Sequence, residues 1–253
     1  MKNKFQLLNG IALVATIAIN YLSNTGIFNG ETMASISAKY QNLFTPAGYA
    51  FSIWGLIYIG LLGFVIYSGV LTKSAIAKEK LVLNIGWWFV ISCIANSLWV
   101  MAWLYDYTFL SIPLMVVIFV SLFKIIHYTR SDFKSLNVRT TLLVRIPFQM
   151  YAGWISVALI ANVAAYLKKI EWDSFGFSET TWTIVMIVIA ALIHLYMIWK
   201  QKMPAFALVA VWALIAIAVT NQHNNHTVFV SALSVAVFIF INIVFQICKK
   251  KSV

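Results

Sequence analysis

Charge is scarce in this sequence. Only 10% of its 253 residues are charged, against 62% that are hydrophobic, where a soluble domain carries about 25% charge. A water-soluble globular domain of this size is therefore excluded, and the chain is an integral membrane protein. Acidic residues are rarest of all. Glu31, Glu79, Asp106, Asp132, Glu171, Asp173 and Glu179 all map to loops or helix ends. With no carboxylate mid-bilayer, an ion pump lacks the buried ionisable groups it relies on, although a facilitator does not need them. Cysteine is limited to Cys93 and Cys248. Both lie in apolar stretches with no partner at metal-ligand spacing, so neither a disulfide framework nor a thiolate metal site is expected. Proline and glycine are too few for a low-complexity region. No GxSxG, HExxH, P-loop or GxGxxG occurs, so an enzymatic reading has no motif behind it and no cofactor is expected.

What the chain does have is apolar length. Runs long enough to span a bilayer fall at about 5–22, 47–71, 81–105, 108–128, 142–167, 180–199, 203–221 and 227–248, taking about 20 residues per span. The expected fold is an all-α polytopic bundle of about eight transmembrane helices. The net charge of +11 does not point to nucleic acid, because the basic residues sit in short loops between spans. Lys2 and Lys4, then Lys73, Lys78 and Lys80, then Arg130, Lys134 and Arg139, then Lys200 and Lys202, then Lys249–Lys251 alternate with acidic, mixed or neutral segments. Eight spans with both termini in the cytoplasm of a bacterial plasma membrane satisfy that alternation, and seven do not. Met1–Lys4 before an apolar run resembles a signal peptide. The run is long, however, and no small-x-small site follows it directly, so an uncleaved first span is expected.

The most distinctive stretch is 43–70. Thr45 and Pro46 are placed to cap and open a helix. Tyr49, Phe51, Trp54 and Tyr58 follow, and Gly55, Gly60 and Gly63 would let another backbone approach, from this chain or a second copy. Polar residues inside spans are mostly amides: Asn20, Asn84, Asn96, Gln149, Asn162, Asn242 and Gln246. Most read as interhelical hydrogen-bonding groups. Asn96 and Gln149 stand out because aromatics flank them. Asn96, Trp99 and Trp103 share one helix face, and Tyr151 and Trp154 lie at i, i+3 near Gln149. Together these residues would suit a flat lipophilic ligand with polar edges. Trp87, Trp88, Trp172, Trp182 and Trp199 fall at span ends and read as interfacial anchors. Arg145 reads as a snorkelling cation. His223 and His226 read as part of a solvated turn rather than a metal site.

Three of these motifs, in this order, resemble the tryptophan-rich sensory protein family, also called the translocator or peripheral benzodiazepine receptor family. In the second helix the resemblance lies in Pro46, Tyr49, Phe51, Trp54 and Tyr58. In the third it lies in Asn96, Trp99 and Trp103, and in the fifth in Pro147, Tyr151, Trp154 and Asn162. It departs from the family at the single proline before the second helix and at Tyr49, where the family usually has Trp. The resemblance implies a five-helix domain over 1–168, with 169–253 supplying three additional helices and a basic cytoplasmic tail. It also implies a hydrophobic ligand, foremost a porphyrin or other tetrapyrrole, bound for sensing or transport. Pro46, Tyr49, Trp54, Tyr58, Asn96, Trp99, Trp103, Gln149, Tyr151 and Trp154 would line the site, with the Pro46 loop as its lid. A sterol-type pattern, Val163, Tyr166 and Lys168, closes the fifth helix and reads as interfacial anchoring. The rival readings are a metabolite carrier using all eight helices as two halves and an assembly factor without a ligand. The bilayer and a lipophilic small molecule are the expected partners, a second copy is an open alternative, and nucleic acid is not expected.

Overall fold

The computed structural model describes residues 2–69, 76–131 and 138–251. The expectations for Lys73, Asp132 and Lys134 lie outside them. The described elements are helical: α1 (Lys2–Leu22), α2 (Met33–Lys39), a 3-10 turn (Gly48–Ser52) running into α3 (Ile53–Ser68), α4 (Ile76–Ile85), α5 (Trp87–Leu104), α6 (Thr108–Ser131), α7 (Val138–Thr140), a π-widened turn (Thr141–Arg145), α8 (Ile146–Lys169), a second 3-10 turn (Ser174–Gly176), α9 (Glu179–Trp199), α10 (Pro204–Asn221) and α11 (His226–Lys251). Eight of the described helices are long and apolar enough to cross a membrane, as expected. They coincide with the eight apolar runs of the sequence.

Three local details differ from the sequence reading. Thr45 and Pro46 do not start a helix. The Thr45 hydroxyl accepts the Asn42 N–H at 3.0 Å, and the 3-10 turn begins at Gly48 after Ala47, which makes no side-chain cap. The run 81–105 is broken at Gly86, whose φ of +49° separates α4 from α5 and suits a residue without Cβ. Upstream of Pro147 the backbone widens into a π turn at Thr141–Arg145. A proline ring crowds the carbonyl four residues back, and the wider turn relieves that clash.

The chain forms two compact units. One comprises Met1–Ile36 with Trp54–Ala152, the other Ser37–Ile53 with Gly153–Val253. In the first unit Phe64, Phe89 and Phe148 meet edge to face at 5.0–5.7 Å and are fully buried. Gly60 lets α3 close on Pro147, since a Cβ there would lie 2.9 Å from the proline ring. Gly63 faces Leu143, while Gly55 faces open space.

On α1 the burial pattern is inverted relative to a soluble helix. Gln6, Asn9, Leu13, Thr16, Asn20 and Ser23 are buried at heptad spacing, and Leu7, Ile11 and Val14 are exposed. Polar groups that point inward and aliphatic groups that point outward fit a helix solvated by lipid.

In the second unit α10 is the enclosed helix, with Ala207, Ala210, Ala213 and Ala216 wholly buried. At Gly153 a Cβ would stand 2.4 Å from the Phe206 carbonyl oxygen, so α8 and α10 touch backbone to backbone. The buried His194 ring is held on α9 by the Ala190 carbonyl at 2.7 Å and lies 3.3 Å from the Ser156 hydroxyl.

Candidate functional site

In the first unit six of the expected residues form one array. The Trp54 and Tyr58 rings stack at 5.5 Å, one helical turn apart on α3. Trp54 also meets Trp99 of α5 at 6.3 Å and the edge of Tyr151 on α8 at 5.5 Å. Trp99 stacks on Trp103 at 6.5 Å, as their i, i+4 spacing requires. Trp99, Trp103 and Tyr151 are buried, and Trp54 is half-buried.

Asn96 lies one turn before Trp99 and is fully buried. Its Oδ1 accepts the Asn20 Nδ2–H at 2.7 Å. Asn20 also donates to the Thr16 carbonyl at 2.9 Å, and the Thr16 hydroxyl donates to the Cys93 carbonyl at 3.2 Å. A polar seam therefore joins α1 to α5 beneath the aromatic row. The Asn96 Nδ2 of this seam and the Tyr58 hydroxyl of the aromatic row are buried and have no hydrogen-bond partner among the described residues. In hydrocarbon an unmet donor is costly, so such groups call for a water or a ligand atom.

The remaining expected residues are placed differently. Gln149 is buried on α8, with no hydrogen bond or ring contact among the described residues. Pro46, Tyr49 and Trp154 belong to the second unit. There Tyr49 packs edge-on against Trp212 at 5.2 Å, and Phe51 packs against Trp154 at 6.1 Å.

Within the second unit the segment carrying Pro46 is tied down at five points. The Leu43 N–H donates to Glu179 Oε1 at 2.9 Å, and the Leu43 carbonyl accepts from Asn221 Nδ2 at 2.9 Å. The Ala47 N–H donates to the Ala216 carbonyl at 3.0 Å, and Trp212 Nε1 donates to the Ala50 carbonyl at 3.1 Å. The Tyr49–Trp212 contact is the fifth. The segment is a strap bound to α9 and α10.

Sequence reasoning assigned no role to Thr16, Trp212, Asn221 or Glu179, whereas Asn20 was read among the interhelical hydrogen-bonding amides and is one. For the α1 pair the signal was present, because Gln6, Asn9, Thr16, Asn20 and Ser23 fall on one heptad face. The strap partners carried no local signal, since they lie 136–178 residues from Leu43.

Eight apolar spans with amides turned inward and aliphatic residues turned outward define a polytopic helical membrane protein. The family model for TSPO-like proteins matches residues 6–245, through all eight spans, and the chain belongs to that family. No curated protein and no solved structure matches it.

Proposed function

We propose that this membrane protein binds a flat hydrophobic molecule, foremost a tetrapyrrole, against the aromatic array of the first unit. Trp54, Trp99 and Trp103 offer the stacking faces. Asn96 and Tyr58 offer the polar contacts, and the reading rests on these two unmet polar atoms amid aromatic rings. Tyr151 backs Trp54. Gln149 supplies a further amide if the ligand spans α8. Pro46, Tyr49 and Trp154 act through the strap rather than as stacking residues. The role is transport or sensing, and stacking with hydrogen bonding needs no covalent chemistry. Both termini face the cytoplasm of a bacterial plasma membrane, the side that the basic loops favour. A five-helix part, 1–168, followed by three additional helices, 169–253, is the domain organisation of this proposal.

The test is a titration of the protein in nanodiscs with metal-free protoporphyrin, read by tryptophan quenching. Saturable binding that weakens about tenfold in Trp99→Ala and in Asn96→Leu, as loss of one stacking or one buried polar contact implies, supports the reading. Binding that does not saturate, or that is unchanged in both variants, refutes it and leaves the metabolite carrier and the ligand-free assembly factor.

A further inference from the structure

A cavity of about 460 Å³ opens in the second unit at the turn between α8 and α9. It falls within the roughly 300–1,000 Å³ of small-molecule pockets, and it shares no residue with the aromatic array. Its lining has three chemical zones. Ala164, Leu167 and Met186 supply an apolar wall. Trp172 and Trp182 present two indoles whose centroids are 5.1 Å apart, tilted by 54°. Lys168, Glu171 and Glu179 supply the charge.

The turn that carries Trp172, against which Trp182 of α9 packs, is specifically built. Glu171, Ser174 and Phe175 have φ of +51°, +60° and +52°, a region that residues with a Cβ enter reluctantly. Trp182 Nε1 donates to the Ser174 carbonyl at 2.8 Å and Asp173 Oδ1 accepts the Phe175 N–H at 3.1 Å, which holds that backbone in place. The outcome is that Trp172 and Trp182 meet over an open cavity.

The charges in the lining are unequal. Glu179 is engaged twice, by the Leu43 N–H and by Lys168 Nζ at 3.7 Å. Lys168 and Glu179 therefore balance each other. Lys169 is not in the lining and sits 5.6 Å over the Tyr40 ring. Glu171 is exposed, and its carboxylate has no partner among the described residues. One unbalanced negative charge in a lining that also holds two indoles favours a cation, because carboxylate and ring quadrupole attract the same sign.

We propose that this cavity is a second binding site, for an amphipathic organic cation: an ammonium head held by Glu171 and the indole pair, and an apolar body against Leu167 and Met186. It stands independently of tetrapyrrole binding.

The test uses the full chain in phosphatidylcholine nanodiscs and isothermal titration with benzyltrimethylammonium, alongside 3-phenylpropionate as an aryl probe of opposite charge. The cation is expected to bind saturably and at least about tenfold more tightly than the anion, with Glu171→Gln removing about that factor. Trp182→Leu should weaken the cation too. Glu171 is on the surface, so its variant reports on binding even if Trp182→Leu fails to fold. Trp99→Ala should leave cation binding unchanged, which separates this site from the aromatic array. Equal binding of cation and anion, full affinity in Glu171→Gln, or no heat beyond empty nanodiscs would overturn the proposal.

Discussion

Gly153→Ala is the sharpest test of how the second unit is assembled. Two effects oppose each other. Replacing a mid-helix glycine with alanine favours the helix by about 1 kcal/mol. The new Cβ, however, would lie 2.4 Å from the Phe206 carbonyl oxygen and 3.1 Å from its carbonyl carbon and Cα. An ordinary non-bonded contact is roughly 3.5 Å, so α8 and α10 would have to part by about 1 Å. The obstacle is backbone, so no side chain can rotate away. Overpacking of this kind costs about 1–3 kcal/mol and more where nothing yields. The contact is expected to win, leaving a net loss of about 2 kcal/mol, roughly thirtyfold in the folded-to-unfolded ratio. Reversible unfolding by sodium dodecyl sulfate in mixed micelles, followed by circular dichroism, measures this. Gly55→Ala is the control, because nothing lies within 4 Å of its Cβ position. It should be neutral or stabilising by up to about 1 kcal/mol. If Gly153→Ala is as stable as the parent, the backbone contact between α8 and α10 is wrong.

Three further outcomes can be checked. A double-mutant cycle with Asn20→Leu and Asn96→Leu should return a coupling of about 0.6–1.7 kcal/mol, the range for interhelical hydrogen bonds in membranes; zero coupling would remove the seam between α1 and α5. Trp212→Phe keeps a ring against Tyr49 but deletes the donor to the Ala50 carbonyl, so hydrogen exchange over 43–52 should accelerate by about 1 kcal/mol in opening free energy, and unchanged protection would show that the strap is held elsewhere. In a Cys248→Ser background, needed because Cys248 is exposed whereas Cys93 is buried, Glu31→Cys and Asn224→Cys should react with an impermeant thiol reagent on intact cells and Lys78→Cys should not; the reverse pattern would invert the orientation.

The span count was legible because a bilayer enforces it: each helix must supply its own apolar length, and the loops keep their charges outside. The i, i+4 stacking of Trp99 on Trp103 was legible for a similar reason, being set by helix geometry within one element. The break at Gly86 and the π turn before Pro147 were not, since a glycine or proline in an apolar run marks a site of latitude without saying which way the backbone will go. The anchorage of the strap was not legible for a different reason. Its composition announces an aromatic segment, but the groups that satisfy it, Glu179, Trp212, Ala216 and Asn221, are far along the chain and individually ordinary. The expected site is divided between the compact units in the same manner. Trp154 follows Tyr151 by three residues on α8, yet the two rings serve different compact units.

The strap also sets an order of events during synthesis. Residues 42–52 leave the ribosome soon after the first span, but the acceptor on Glu179 follows only after four more spans, and the indole of Trp212 and the amide of Asn221 only after five. Until then the Leu43 N–H and carbonyl, the Ala47 N–H and the Ala50 carbonyl lack their final partners and must rely on water or headgroups. The second unit is thus closed by some of the longest-range contacts in the chain, and such contacts form late. A nascent chain arrested before α10 would hold its spans yet carry an open segment, a ready substrate for a membrane quality-control protease.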